Sequence, residues 1–574
     1  PQTVFGPLVG TLLLALLASY IISIIAVPLL SLYILAIEWP WLIKLENGFH
    51  FVIGRANDLT QRFFASIVTG MTSSRILGAF AVILLLAMFA VSAKKVMPVV
   101  GQELMPPMDT GAVNIHIALD PNLPIEASET LMRRVNAILE KEAELLRVSG
   151  SIGSEAGVLS IGSGSGIDHL SIVATYVDRF HREKDIWEIS RGLREKIAAL
   201  PHVKTLDVAP YGATALASIR ANVDTLLSSD DLTTLPSVEE RVRQALEKTK
   251  GVVSTSVTWE NDKRVYDLII DEKEALRYGV DRQAILSQVQ RILRGVPVAT
   301  FPRTNSRDYT VRLWLPKSRI DRIERILSLL VDTPKGKIPL ARFARLGRHH
   351  EPSLITRQGL QYTLEVYGNR DKAAISHIMA DYRKQLEQVE IPDSVSLEQI
   401  GDEKQFKSSA KRMIGAIIVA VVLIFLTLVV MFGNLKIAAM ILFSIPLTLI
   451  GAAWTLLAMD YHVSMPAMMG FILLSGVIVN NAILLIHFAI EQIRAGMDKR
   501  SAMLEAIRTR TRPVLMTAFA VSAGMLPVAL GSAIGLERLA PLGAVAIGGL
   551  IVGTFMTLVF IPLLFIWTVR EKNI

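Results

Sequence analysis

Between Val4 and Ile37 the chain carries no Asp, Glu, Lys, Arg or His, and this run constrains the fold more than any motif does. A helix needs about 20 apolar residues to cross roughly 30 Å of hydrocarbon, so the run is long enough to span a bilayer. Six further apolar runs follow: Ile76–Ala93, Met413–Phe432, Ile437–Ala458, Met465–Ile490, Pro513–Leu530 and Leu539–Val569. Buried helices of a soluble protein would be shorter or amphipathic. The first run is also too long, and too far from any basic segment, for a signal peptide. An α-helical membrane bundle of seven transmembrane helices is expected. With 51% hydrophobic and 20% charged residues, a disordered chain is excluded. The absence of cysteine excludes disulfides, thiolate metal sites, Cys nucleophiles and iron–sulfur clusters. Position 1 is Pro rather than Met, and with apolar sequence following at once the chain is expected to be the rear part of a longer protein.

Basic residues set the orientation. Residues 491–512 hold six bases, Arg494, Lys499, Arg500, Arg508, Arg510 and Arg512, which marks that loop as cytoplasmic. Counting spans outward places 44–75 and the tail 570–574 on the same side, and 94–412 and the N-terminus on the other. The net charge of +8 divides into +3 for residues 94–412 and +5 for the remainder. It is mainly a topology signal, and there is no basic stripe for nucleic acid.

The large outer segment alternates strand-like and helix-like stretches. Val113–Leu119 alternates at period two. Glu126–Leu146 has helical spacing, and Val148–Ile152 is strand again. Ser171–Val177, Ile186–Leu200 and Val203–Val208 repeat the order, which predicts a small sheet covered by two helices, the split βαβ arrangement. A second unit is expected from strand Ile219–Val223, helix Val238–Lys248 and strands Val252–Thr258 and Val265–Asp271. It is completed by Tyr362–Tyr367, helix Lys372–Val389 and Val395–Ile400. Between its halves lies an insertion, about 273–348, with a helix at Ala284–Leu293, strands Tyr309–Leu315 and Ile338–Pro339, and a turn at Thr333–Gly336. The glycine-rich run Gly153–Gly166 is not followed directly by a helix, which argues against a phosphate cradle.

No hydrolase constellation and no H-E-x-x-H spacing is present. His349-His350-Glu351 is the densest cluster, and it suits a solvated loop better than a metal site. Polar groups inside hydrocarbon are costly and tend to be functional. Asn480, Leu484, His487 and Glu491 share one face of the 465–491 span, with Asn480-Asn481 well inside it. The next span offers Thr517 and Ser522, entered from Arg510 and Arg512. These residues read equally as hydrogen-bonding glue between helices and as a functional path.

At these residues the sequence resembles resistance-nodulation-division (RND) efflux permeases of the multidrug, acriflavine-resistance type. G-V-I-V-N-N-A-I-L-L (Gly476–Leu485) and R-T-R-P-V-L-M-T (Arg510–Thr517) carry the likeness. So do L-M-P-P-M-D-T-G (Leu104–Gly111), I-P-L-T-L-I-G (Ile445–Gly451) and Y-V-D-R-F-H-R-E (Tyr176–Glu183). The match covers essentially the whole chain.

The resemblance implies a multi-pass bacterial inner-membrane protein that exchanges protons for export of amphiphilic compounds. It would act as a homotrimer, or paired with a homologous permease, with a periplasmic adaptor (membrane fusion) protein and an outer-membrane channel, and would use no cofactor. On that likeness 1–37 and 76–95 are membrane helices joined by a cytoplasmic segment at 38–75. Residues 102–208 form the first porter subdomain, and 209–272 with 349–401 the second. A docking subdomain occupies 273–348, a five-helix membrane domain 413–569 and a cytoplasmic tail 570–574. The implied relay candidates are Asn480, Asn481, Arg510 and Thr517. In many multidrug members Asn480's position is a Lys that pairs with an Asp pair on a span absent from this chain, and an amide cannot titrate. Val158, Leu159 and Ile161 stand in the family's substrate-cleft loop where drug pumps often have Phe. The competing expectation is a non-transporting scaffold or partner subunit of such a complex.

Overall fold

The computed structural model describes residues 2–35, 40–154, 165–211, 220–302, 308–316, 322–352 and 354–569. The chain begins with α1 (Gln2–Ile21), a π-helical turn at Ile22–Ala26 and α2 (Val27–Leu35). After α3 (Pro40–Ser73), α4 (Arg75–Val91) starts at Ser74, whose hydroxyl accepts from the Leu77 amide. A second π-helical turn, Ser92–Val96, leads into α5 (Met97–Val100).

The first extramembrane unit runs β1 (Ala112–Leu119), α6 (Ile125–Leu139), β2 (Leu145–Ser154), β3 (Ser165–Tyr176), α7 (Ile186–Ala198) and β4 (Val203–Pro210). Its antiparallel sheet is ordered β2-β3-β1-β4, so each helix crosses over one intervening strand, the interleaved split βαβ topology. Val113, Ile115, Ile117 and Leu119 alternate into the core, where Leu131 and Val135 of α6 and Leu193 and Ile197 of α7 meet them. Burying each such side chain contributes about 1.5–3 kcal/mol. The expected helix to Leu146 stops at Leu139, because Glu144 takes a positive φ of 67° and Leu145 already begins β2.

The second unit begins with β5 (Val223–Ser229), α8 (Leu235–Glu247) and β6 (Val252–Val257). β5 starts where the expected strand 219–223 was to end. Six of its seven residues are buried, so its two faces show no period-two contrast in the sequence. The insertion follows: β7 (Lys263–Ile270), α9 (Glu272–Arg277), α10 (Arg282–Arg294), β8 (Val296–Phe301), β9 (Tyr309–Leu313), β10 (Leu330–Thr333), β11 (Gly336–Pro339) and β12 (Ala344–Glu351). β7 pairs with β12 along its whole length as a two-stranded ribbon, rather than joining the second unit's sheet. The unit resumes with β13 (Thr356–Gln358), β14 (Gln361–Arg370), α11 (Ile375–Leu386) and β15 (Val395–Gln399). The order β6-β14-β5-β15 repeats that of the first unit.

The chain then returns to apolar helices: α12 (Asp402–Phe432), α13 (Leu435–Leu447), α14 (Leu449–Ala458), α15 (Met465–Arg494), α16 (Lys499–Ala529), α17 (Ala540–Phe555) and, after a π-helical turn at Met556–Phe560, α18 (Ile561–Thr568). Among the described residues, seven helical stretches are long and apolar enough to cross a membrane. α17 is the central one. A Cβ at Gly548 would collide with Thr455 Oγ1 and lie 2.6 Å from the Gly451 carbonyl of α14. One at Gly543 would lie 2.6 Å from the Ala529 amide of α16. Glycine is required there because backbones approach too closely for any side chain.

Candidate functional site

α15 has two different sides. Ile478, Asn481, Ala482, Leu485 and Ile486 are buried in the bundle. Gly476, Asn480, Leu484, His487 and Glu491 lie on the exposed face. His487 Nδ1 stands 3.7 Å from Glu491 Oε1. The relay candidates therefore separate: Asn481 faces the core at 4% exposure, whereas Asn480, one residue earlier, faces away from it. On α16, Arg510 is half-buried and its guanidinium carbon sits 5.4 Å from the Phe488 ring centroid on α15. Its Nε is buried without a hydrogen-bond partner among the described residues. Thr517 is exposed and donates to the Val514 carbonyl at 2.9 Å. No hydrogen bond joins any two of these four residues. An Asn in midspan and a buried, unpaired guanidinium donor are both costly in hydrocarbon.

A cavity of about 340 Å³ lies between the two extramembrane units. On the first unit's wall His116 and Ser171, paired on neighbouring strands, are 3.0 Å apart, and His169 stands 3.5 Å from Asp168. Lys204 is held by Glu260 at 2.6 Å and by Asp262. Burial pulls its pKa down, but the hydrogen bonds it donates to Asp262 and Glu260 outweigh that and raise it. Arg220 bonds Glu365 at 3.3 Å and lies 5.3 Å from the Tyr367 ring centroid. Asp207 of β4 accepts from Ser254 at 2.6 Å and from Asn369 at 2.9 Å, stitching the units together at one end. Behind it, burial and the nearby Glu365 push Asp224 up to about 7 against the pull of Arg220. The walls carry mutually compensated charges together with the Trp259 and Tyr367 rings. Val158, Leu159 and Ile161 lie outside the described residues. His349, in β12, bonds Asp267 at 2.9 Å on the exposed ribbon, away from the cavity. Among the described residues no three His, Cys, Asp or Glu side chains converge as a metal site.

Two junctions tie these units to the membrane helices, and sequence reasoning missed both. In the first, Arg179 binds Glu537 at 2.7 Å, and its guanidinium donates to the Gly531 and Ala533 carbonyls of the α16–α17 loop. Three residues on, Arg182 is buried against Asp109, which also accepts from the Gly111 and Ile186 amides. In the second, Glu103 and Arg370 form an ion pair at 2.8 Å with both side chains almost wholly buried. Asn222 accepts from the Arg370 amide and donates to Asp402 at 2.7 Å. The quoted runs L-M-P-P-M-D-T-G and Y-V-D-R-F-H-R-E are thus two halves of one junction, a signal legible only as paired charges in separate motifs.

The sequence profile of the AcrB/AcrD/AcrF family matches residues 2–568. The chain belongs to this family of RND permeases. These are transporters rather than catalytic enzymes, and they reside in the inner membrane. The nickel-cobalt-cadmium resistance protein NccA of Alcaligenes xylosoxydans xylosoxydans is 25% identical over 576 residues, which covers 97% of this chain and 51% of that protein. The multidrug resistance protein MdtC of Escherichia coli O81 is 25% identical over 570 residues, covering 98% and 53%. The crystal structure of a heavy metal efflux pump shares the fold with a TM-score of 0.79 at 21% identity, over 89% of this chain and 53% of that one. This RND chain spans about half the length of the curated relatives it matches.

Proposed function

We propose that the chain supplies the sixth to twelfth spans and the second large periplasmic loop of a proton-coupled RND efflux permease. The observation that carries this reading is the open polar face of α15 beside Arg510, which among the described residues has neither an ion pair nor a hydrogen-bond partner for its buried Nε. Such a face in hydrocarbon needs covering by further helices, and a carboxylate on them would satisfy the guanidinium. Protonation of that carboxylate would release the pair and shift α16. The first unit and the two halves of the second act as the periplasmic porter subdomains, and the insertion, centred on 273–348 and closed by the β7–β12 ribbon, as the docking subdomain. The assembly is a trimer, of one permease or of a homologous pair, working with an adaptor and an outer-membrane channel.

The substrate is an amphiphile with a charged or zwitterionic head, which suits the ionic walls of the cavity. The names of NccA and of the heavy metal pump raise divalent cations as a competing cargo. Cobalt, nickel or cadmium resistance conferred by the complete permease, without dye export, would replace the amphiphile assignment.

The test of the relay uses the complete permease in proteoliposomes. Arg510→Ala and Thr517→Ala should impair proton-driven export without lowering membrane abundance. Wild-type export by both variants sinks the relay. The second reading, a non-transporting partner subunit, is favoured by the neutral amide of Asn480. It predicts that export depends wholly on a homologous permease and is indifferent to Arg510→Ala.

A further inference from the structure

The two extramembrane units share a topology but reach the membrane differently. The second continues directly from β15 into α12, and Asn222 of its sheet end is bonded to Asp402 in the first turn of that helix. The first unit has no such continuous helix. It is tied to the α16–α17 loop by Arg179, in the loop between β3 and α7.

That side chain is tightly held. Its guanidinium meets Glu537 at 2.7 Å, the Gly531 carbonyl, and the Ala533 carbonyl at 3.3 Å, and stands 4.6 Å from the Phe180 ring centroid. Both ionic partners are mostly buried, with side-chain exposures of 22% and 16%. Glu537 is fixed in turn, because its second oxygen accepts from the Gly535 amide at 2.8 Å. Gly531 and Gly535 adopt positive φ of 59° and 87°, which shapes the loop so that its carbonyls converge on one donor group. The loop begins where α16 ends, and the Ala529 carbonyl in the helix's last turn accepts from the Tyr461 hydroxyl at 2.8 Å. Three residues after Arg179, Arg182 is buried against Asp109 in the segment that leads into β1.

Arg179 meets Glu537 through a single Nη1–Oε1 ion contact while its Nη2 donates to two carbonyls, and a cation held at several points in this way transmits displacement of the loop. We propose that Glu537 is a positioning residue of the transport cycle: through Arg179 it couples movement of α16 to the first extramembrane unit, with Asp109–Arg182 as the pivot. The inference rests on the reading of α16 as the relay helix. Glu537 itself handles neither proton nor substrate.

The complete permease is assayed in proteoliposomes for export and for substrate-linked proton flux. Glu537→Gln keeps the shape and removes the charge, and should lower export about tenfold while proton flux persists, the scale of a lost coupling interaction. Arg179→Lys, which keeps the charge but not the fork, should fall between Glu537→Gln and wild type. The exchanged pair Arg179→Glu with Glu537→Arg should recover a large part of export. Export by Glu537→Gln at the wild-type rate overturns the proposal. So does an equal fall of export and proton flux at unchanged membrane abundance. If the exchanged pair fails to accumulate, Arg179→Lys decides, and wild-type export by it counts against the clamp. Arg510→Ala serves as the control. Export surviving that substitution defeats the relay reading, whereas its loss together with intact export by Glu537→Gln defeats only the coupling.

Discussion

Two sides of α15 follow opposite rules. Toward α17 the packing is so close that Gly549 and Gly553 leave no room for a Cβ beside Leu474 and Ile478. On the far side Gly476 has nothing within 4 Å, and Asn480, His487 and Glu491 lie exposed. The same contrast separates Arg370, paired with the buried Glu103 within the chain, from Arg510, which makes no ion pair among the described residues. The lesson is that polar groups here sort by whether this chain closes around them. Those it encloses hold the architecture, and those it leaves open mark where chemistry or a partner enters.

The contrast breaks most sharply at glycine. Gly548→Leu drives a side chain into Thr455 and the Gly451 carbonyl, a backbone clash costing more than about 3 kcal/mol. Its accumulation in membranes should collapse. Next comes the enclosed ion pair: Arg370→Met leaves Glu103 buried and uncompensated, costing about 3–5 kcal/mol. The detergent-solubilised chain should melt at a clearly lower temperature.

Asp224 has the opposite sign. Its pKa is raised to about 7 by burial, so the folded state holds the proton more tightly than the unfolded chain. Stability is highest below the ordinary carboxylate value near 4, falls as pH rises from about 4 to about 7, and stays low above that. Asp224→Asn should therefore stabilise by roughly 2–4 kcal/mol at pH 8 and by little at pH 4. Equal melting shifts at the two pH values would refute the assignment. Smallest is Gly476→Leu, which should leave the accumulation and melting of this chain unchanged. A loss comparable to that of Gly548→Leu would erase the distinction between the two sides.

The membrane helices were legible because hydrocarbon imposes length and composition on each span independently of its neighbours. The first split βαβ unit was legible for a related reason: its strands bury one face, so Val113, Ile115 and Ile117 alternate visibly. β5 was misplaced because burial on both faces erases that alternation. The partner of β7 was unreadable, since periodicity identifies a strand but not what it pairs with. At the candidate site, Arg510 and the polar face of α15 could be picked out from composition. The clamp on Arg179 could not, because its acceptors are mostly backbone carbonyls and Glu537 lies more than three hundred residues away.

The insertion within the second unit has a consequence for the order in which the protein comes into being. β5 is flanked in its sheet by β14 and β15, so neither hydrogen-bonding edge of that strand is met until the chain beyond the ribbon has been made. The first unit closes its sheet entirely within residues 112–210. Closing the longer loop adds only slightly to the entropic cost, which grows logarithmically with length, but it delays the event, because non-local pairing is slow. During synthesis β5 waits as an unpaired strand while the first unit is already complete. That interval is when the nascent protein is most exposed to aggregation.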